Sequence, residues 1–153
     1  MKRILSLIVF LSVMVSAVYA QHIMFGGLPL TGNITEFSRL LRDRGFQLQK
    51  RVPGDNYYIY KGMYAGHSSY FQVNYSSKSN TVYQVRVTPK HVNTLVYRDS
   101  LASIYGLEYE TTEQGYRWIR DDGMVMLAVP EDKDPVLFVL DLDGARLSKK
   151  EQK

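Results

Sequence analysis

Cysteine is absent from the 153 residues. That excludes a disulfide scaffold, a thiolate zinc site, a cysteine nucleophile and a lipid-modified N-terminal cysteine. Histidine is scarce: His22, His67 and His91 are the only three. None stands in an HExxH pattern or beside carboxylates at ligand spacing, so no metal and no cofactor is expected. The G-x-S-x-G elbow is missing, and Gly66-His67-Ser68-Ser69 reads as a polar turn, because neighbouring strand residues point to opposite faces. Gly26-Gly27 lacks the rest of a phosphate loop. Asp141-Leu142-Asp143-Gly144 lacks the third oxygen ligand and distal glutamate of a calcium loop, and reads as a strand end followed by a turn. The acids Asp121, Asp122, Glu131, Asp132 and Asp134 fall in turns, where solvation rather than glycosidase chemistry is expected. The reading is therefore non-catalytic.

No apolar run of spanning length follows the first twenty residues. Within those twenty, Lys2 and Arg3 precede an almost wholly apolar stretch, Ile4 to Val15, and Val18-Tyr19-Ala20 supplies a cleavage signature. This predicts a secretory signal cut after Ala20 rather than an anchor, since about 12 apolar residues fall short of the roughly 20 that span a bilayer. Removing Lys2 and Arg3 lowers the formal charge from +4 to +2. So modest a charge gives no case for nucleic acid. The mature chain is expected in the periplasm or outside the cell, with no stable membrane insertion after cleavage.

Hydrophobic residues make up 45% of the chain and charged ones 22%, a globular composition. Asn33 offers an N-cap, and Ile34, Phe37, Leu40 and Leu41 share one helical face, which predicts a first helix over 34–44 stopped by Gly45. Strands are expected at Phe46–Gln49, Tyr57–Lys61, Tyr70–Tyr75 and Thr81–Thr88, with Pro53-Gly54-Asp55-Asn56 and Ser76–Asn80 as connections. A second helix is expected over 91–105, on Val92, Leu95, Leu101, Ile104 and Tyr105. Four strands then follow: Leu107–Glu110, Tyr116–Arg120, Met124–Val129 and Pro135–Leu142, with Asp121-Asp122-Gly123 as a tight turn. The run Val136 to Leu140 predicts a central strand buried on both faces. Lys149 to Lys153 reads as a frayed tail.

The order helix, glycine, short strand, turn, three strands occurs twice, with Gly45 and Gly106 at the matching junctions. The expected fold is α+β: two helix-then-antiparallel-strands repeats with the helices packed on one face of the sheet. Residues 21–150 form the single domain, its halves at 33–89 and 90–145, and 151–153 the tail.

Pairing Tyr75 with Thr81 across the Ser76–Asn80 loop sets Val73 opposite Tyr83 and Phe71 opposite Val85 on a buried face. Tyr70 then lies opposite Arg86, and Gln72 opposite Gln84, on the other. That polar face, joined by Asn74, Gln47 and Gln49, combines aromatic area, amides and a guanidinium, a set suited to recognition. The candidate binding residues are Tyr70, Gln72, Gln84 and Arg86, together with Tyr58 and Tyr60. The basic stripe Arg39, Arg42 and Arg44 on the first helix is a second candidate surface for an acidic partner. The function expected is an exported binding module for an unknown protein or cell-envelope partner. The alternative is a carbohydrate-binding protein or small glycan-acting hydrolase using Tyr58, Tyr60 or Trp118.

Residues Phe25 to Ile34, followed by Phe37, Leu41 and Arg44-Gly45-Phe46, resemble the opening of small exported Bacteroidota-type proteins of unknown function: an F-x-G-x-P-L-x-G segment, then a helix ending in [RK]-G-[FV]. The resemblance spans about the first 25 mature residues and implies export and a shared fold start. In outline the chain is also similar to beta-lactamase-inhibitor-like modules and to small outer-membrane-assembly lipoproteins, which are binding modules. It departs from the lipoproteins in lacking their N-terminal cysteine.

Overall fold

Ile23, Phe25, Leu28 and Leu30 are all buried in the opening segment, set off by the exposed Met24, the Gly26-Gly27 turn and Pro29. They lie in and beside a two-stranded hairpin, β1 (Met24–Phe25) and β2 (Leu28–Pro29). The computed structural model describes residues 22–153, and the expected signal segment, residues 1–20, lies outside the described residues. The Phe25 ring stacks on Tyr64 at 4.7 Å between centroids and meets Phe71 edge-on at 5.7 Å, which anchors the segment in the core.

Helix α1 (Ile34–Asp43) starts at Asn33, whose side chain accepts from the Thr35 N–H at 2.8 Å. It buries Ile34, Phe37 and Leu41, and Gly45 follows in the left-handed region. Strands β3 (Gln47–Val52), β4 (Tyr57–Tyr64), β5 (His67–Tyr75) and β6 (Val82–Pro89) form an antiparallel meander. Helix α2 (Thr94–Tyr105) begins three residues later than the periodicity predicts, because Asn93 caps it by accepting from the Leu95 and Val96 N–H groups. Its buried face is Tyr97, Leu101, Ala102 and Tyr105, while Leu95 and Ile104 point outward. The aromatic residues win the core side, where Tyr97 meets the His67 ring edge-on at 5.4 Å.

Strands β7 (Glu110–Thr112), β8 (Gly115–Ile119), β9 (Gly123–Ala128) and β10 (Val136–Asp141) form a second meander. The two join through β6 and β10 into one eight-stranded antiparallel sheet of order β3-β4-β5-β6-β10-β9-β8-β7. The expected strand at Leu107–Glu110 does not form there. Leu107 is 84% exposed, and this stretch is tied down by side chains: the Trp118 Nε1–H donates to the Gly106 carbonyl at 2.8 Å.

A third helix, α3 (Leu142–Glu151), occupies the stretch read as a strand end, turn and frayed tail. Asp141 serves as its N-cap rather than as a turn residue or calcium ligand, accepting from the Gly144 N–H at 2.8 Å. Its buried carboxylate also meets His22 Nδ1 at 2.9 Å, which ties the opening segment to this helix. At the far end the Glu151 carboxylate accepts from the Lys78 and Ser79 backbone N–H groups at 2.8 and 3.2 Å. Among the described residues the architecture is α+β, three α-helices with one large antiparallel sheet and a small hairpin.

The buried side chains form one cluster that draws on α1, α2, the opening segment and both meanders. Residues opposite one another in an antiparallel sheet share a face. Tyr60, Phe71, Val87, Leu137 and Leu127 therefore form one row across the sheet, and Val73, Val85, Val139, Val125 and Trp118 another. All ten are essentially solvent-free. The inward face of the sheet is thus continuous from β4 to β8.

Candidate functional site

The opposite face carries the residues expected from sequence to bind, and its register differs from the expected pairing. Gln72 lies opposite Arg86, Tyr70 opposite Thr88 and Asn74 opposite Gln84. The pairing slips by two residues, one because Tyr75 pairs with Val82 rather than Thr81, and one because Tyr83 is an extra residue in a bulge before the Asn74–Gln84 pair. A slip of two keeps the paired side chains beyond the bulge on their faces, where a slip of one would have inverted them. Tyr70, Gln72, Gln84 and Arg86 accordingly do share the outward face. Tyr83, expected opposite Val73 in the core, is instead only partly buried, beside Gly144 of α3.

Tyr58 and Tyr60 do not join them. Tyr60 pairs with Phe71 on the inward face and is 0% exposed, and Tyr58 pairs with Val73 on the same side, its ring edge-on to Tyr75 at 5.6 Å. Trp118 is likewise core. Strand parity explains this: once Phe71 and Val73 face inward, their partners across β4 must too. Burial raises the Tyr60 phenol above its ordinary pKa, opposed by the nearby Ser38 hydroxyl, and the tyrosine is a core residue rather than a contact.

Across the outward face one row runs through all eight strands. Lys50 lies opposite Ile59, Ile59 opposite Gln72, and Gln72 opposite Arg86. Arg86 lies opposite Phe138, Phe138 opposite Met126, and Met126 opposite Arg117, which pairs with Glu110 on the edge strand. A neighbouring row carries Tyr57, Asn74, Gln84, Leu140, Met124 and Ile119. No outward side chain of the eight strands is buried. Val136 to Leu140 is central, as expected, but covered on one side only: Leu137 and Val139 are solvent-free, while Val136, Phe138 and Leu140 remain partly open.

Polar groups on this face are held in place by one another. The Gln72 Nε2 amide donates to Asn74 Oδ1, and the Asn74 Nδ2 amide donates to Gln84 Oε1, both at 2.9 Å. The Arg86 guanidinium sits over the Phe138 ring at 5.9 Å, and the Lys90 ammonium over Tyr70 at 4.6 Å. Arg117 Nη2 donates to Glu110 at 2.6 Å. Beside it Thr112, Glu113, Gln114, Arg117, Met124 and Met126 line an open depression of about 360 Å³. Among the described residues no group of three or more histidines and acids could hold a metal ion.

No family model, curated protein or solved structure matches the chain. Its candidate site stands on this geometry alone.

Sequence reasoning missed Lys61, Met124, Met126, Phe138 and Arg117 as members of the face. In Met124 to Leu127 and Val136 to Leu140 both faces are apolar, so no alternation marks an outward side. The usable signal was arithmetic: once the β6–β10 register is set, opposite residues follow by parity.

Proposed function

We propose that the protein is an exported, non-catalytic binding module of the cell envelope, working in the periplasm or outside the cell, and that the outward face of its sheet contacts a protein or cell-envelope partner. The observation that carries this reading is β10. A central strand with six consecutive residues, five of them apolar, leaves Val136, Phe138 and Leu140 partly open in the middle of the outward face, beside Met124 and Met126 and flanked by Gln84, Arg86 and Arg117. Apolar area rimmed by polar groups is the ordinary make-up of an interaction surface. Export follows from the signal pattern and accords with the resemblance of the opening segment to small exported proteins. Among the described residues no helix is long and apolar enough to cross a membrane.

The two meanders belong to this reading as a structural duplication. Supporting it are the mirrored strand order about β6 and β10 and the positive φ of Gly45 and Gly106, at +88° and +110°, after successive helices. Membership of α1 and α2 in one core cluster supports their lying together on the inward face, leaving the outward one for contact. The glycan reading loses its residues: Tyr60 and Trp118 are core, and Tyr58 faces inward.

A photo-cross-linking residue placed at Gln72 in the exporting cell should yield discrete protein adducts, and one placed at the exposed Ser103 of α2 should not. Equal labelling at both positions, or adducts from Ser103 alone, would sink the assignment of the contact to this face.

A further inference from the structure

The outward strand positions carry four bases, Lys50, Lys61, Arg86 and Arg117, against one carboxylate, Glu110, and that carboxylate is already engaged by Arg117. Lys90, seated over Tyr70, adds a fifth base. Among the described residues no carboxylate pairs with Lys50, Lys61, Arg86 or Lys90. With Glu113 at the rim beside Arg117, the face holds five bases against two carboxylates and stays positive, on a chain whose mature formal charge is small. Its apolar members, Met126, Phe138 and Ile59, lie between these cations rather than apart from them.

We propose that this face docks an acidic protein surface, one in which carboxylates are interspersed with apolar side chains. The proposal rests on the docking reading above and names the partner's chemistry. Size supports a protein: eight strands about 4.8 Å apart make a face about 34 Å wide and about 20 Å along the strands. That approaches the roughly 800 Å² that each side gives to a standard interface. A second copy of this chain is a poor occupant, because a two-fold pairing of identical faces sets base against base. Sugar stacking is disfavoured because Tyr70 and Phe138 already have cations over their rings. An acyl surface is disfavoured because the Gln72–Asn74–Gln84 amide chain would be buried without new partners. Carboxylates meeting Lys61, Arg86 and Lys90, with apolar groups over Met126 and Phe138, satisfy both halves of the face.

The test uses the full chain as its host exports it and four probes: a random glutamate–tyrosine copolymer, a lysine–tyrosine copolymer, polygalacturonate and phosphatidylglycerol vesicles. The glutamate–tyrosine copolymer should bind, protect outward-face amides from hydrogen exchange, and weaken steeply with added salt. A Lys61→Glu/Arg86→Glu double variant, checked as folded by circular dichroism, should bind it at least about tenfold more weakly. Arg39→Glu/Arg42→Glu, on the rival basic stripe of α1, should change binding less than about twofold. Loss on the α1 variant instead overturns the proposal. Equally tight polygalacturonate or vesicle binding overturns its commitment to a protein. Lysine–tyrosine binding at this face overturns the acidic partner but leaves the docking reading standing. Silence from all four probes counts against both. The salt dependence and exchange footprint need no variant, so a misfolded mutant cannot leave the proposal undecided.

Discussion

Tyr97 lies wholly within the core with a hydroxyl that meets no hydrogen-bond partner, whereas its neighbours Tyr64 and Tyr105 join theirs at 2.5 Å. Burial pushes all three phenols up, so each stays protonated through the physiological range. The two kinds of hydroxyl should respond oppositely to removal. Tyr97→Phe deletes an unpaired polar atom and should leave stability unchanged or raise it by up to about 1 kcal/mol; Tyr64→Phe leaves the Tyr105 hydroxyl only the long bond to the Met24 carbonyl, at 3.4 Å, and should cost about 1 kcal/mol. Denaturant titration of both variants decides it, and a larger loss for Tyr97→Phe would mean that its hydroxyl has a partner. Nothing in local sequence separates these tyrosines. Tyr58 and Tyr60, which face inward, and Tyr70, which faces outward, sit in equally aromatic strands, and only register tells them apart.

At the scale of elements, α3 is held at both ends by carboxylates. Asp141 caps its start, and Glu151 reaches back to the β5–β6 loop. Ser79, then the Lys78 and Ser79 amides, hold the Glu151 carboxyl below the usual carboxylate range. A lowered folded-state pKa means that this contact contributes fully above the ordinary glutamate value and is lost as pH falls through the depressed one. Amide exchange at Lys78 and Ser79 should therefore accelerate in that acid window, and Glu151→Gln should remove the transition. An acid response that survives in Glu151→Gln would place its origin elsewhere. This helix was illegible in sequence for a physical reason. Leu142 to Glu151 has a polar mean composition and buries only Gly144 and Ser148, so no apolar stripe announces it. The first helix, with Ile34, Phe37 and Leu41 on one face and Asn33 as cap, was legible to within a residue.

For the whole molecule the decisive junction is β6 against β10, where two meanders become one sheet. Leu137 and Val139 on β10 pack between Val87 and Val85 on one side and Leu127 and Val125 on the other. Unfolding should accordingly be a single transition: fluorescence of the lone tryptophan, Trp118 in β8, and far-ultraviolet circular dichroism should coincide along a urea titration. Leu137→Ala should cost about 3 kcal/mol and shift both probes together. Separate midpoints would show that the meanders fold as independent units. One such sheet, buried on one side, leaves no buried side chain on the other side of its strands.

Residue pattern alone determined the α+β class, the first helix, most strands, the turn at Asp121-Asp122-Gly123, and the sharing of one face by Tyr70, Gln72, Gln84 and Arg86. Those features depend on periods of 2 and 3.6 and on capping and turn chemistry, all of which act within a few residues. Tertiary structure decided the rest. The Tyr75–Val82 pairing and the Tyr83 bulge set the β5–β6 register, the β6–β10 pairing brought Phe138, Met126 and Arg117 into one row with Arg86, and the absence of cover left Val136 to Leu140 half open. Strand order and layer contact join residues far apart in the chain, and an apolar run reads the same whether one of its faces or both are buried.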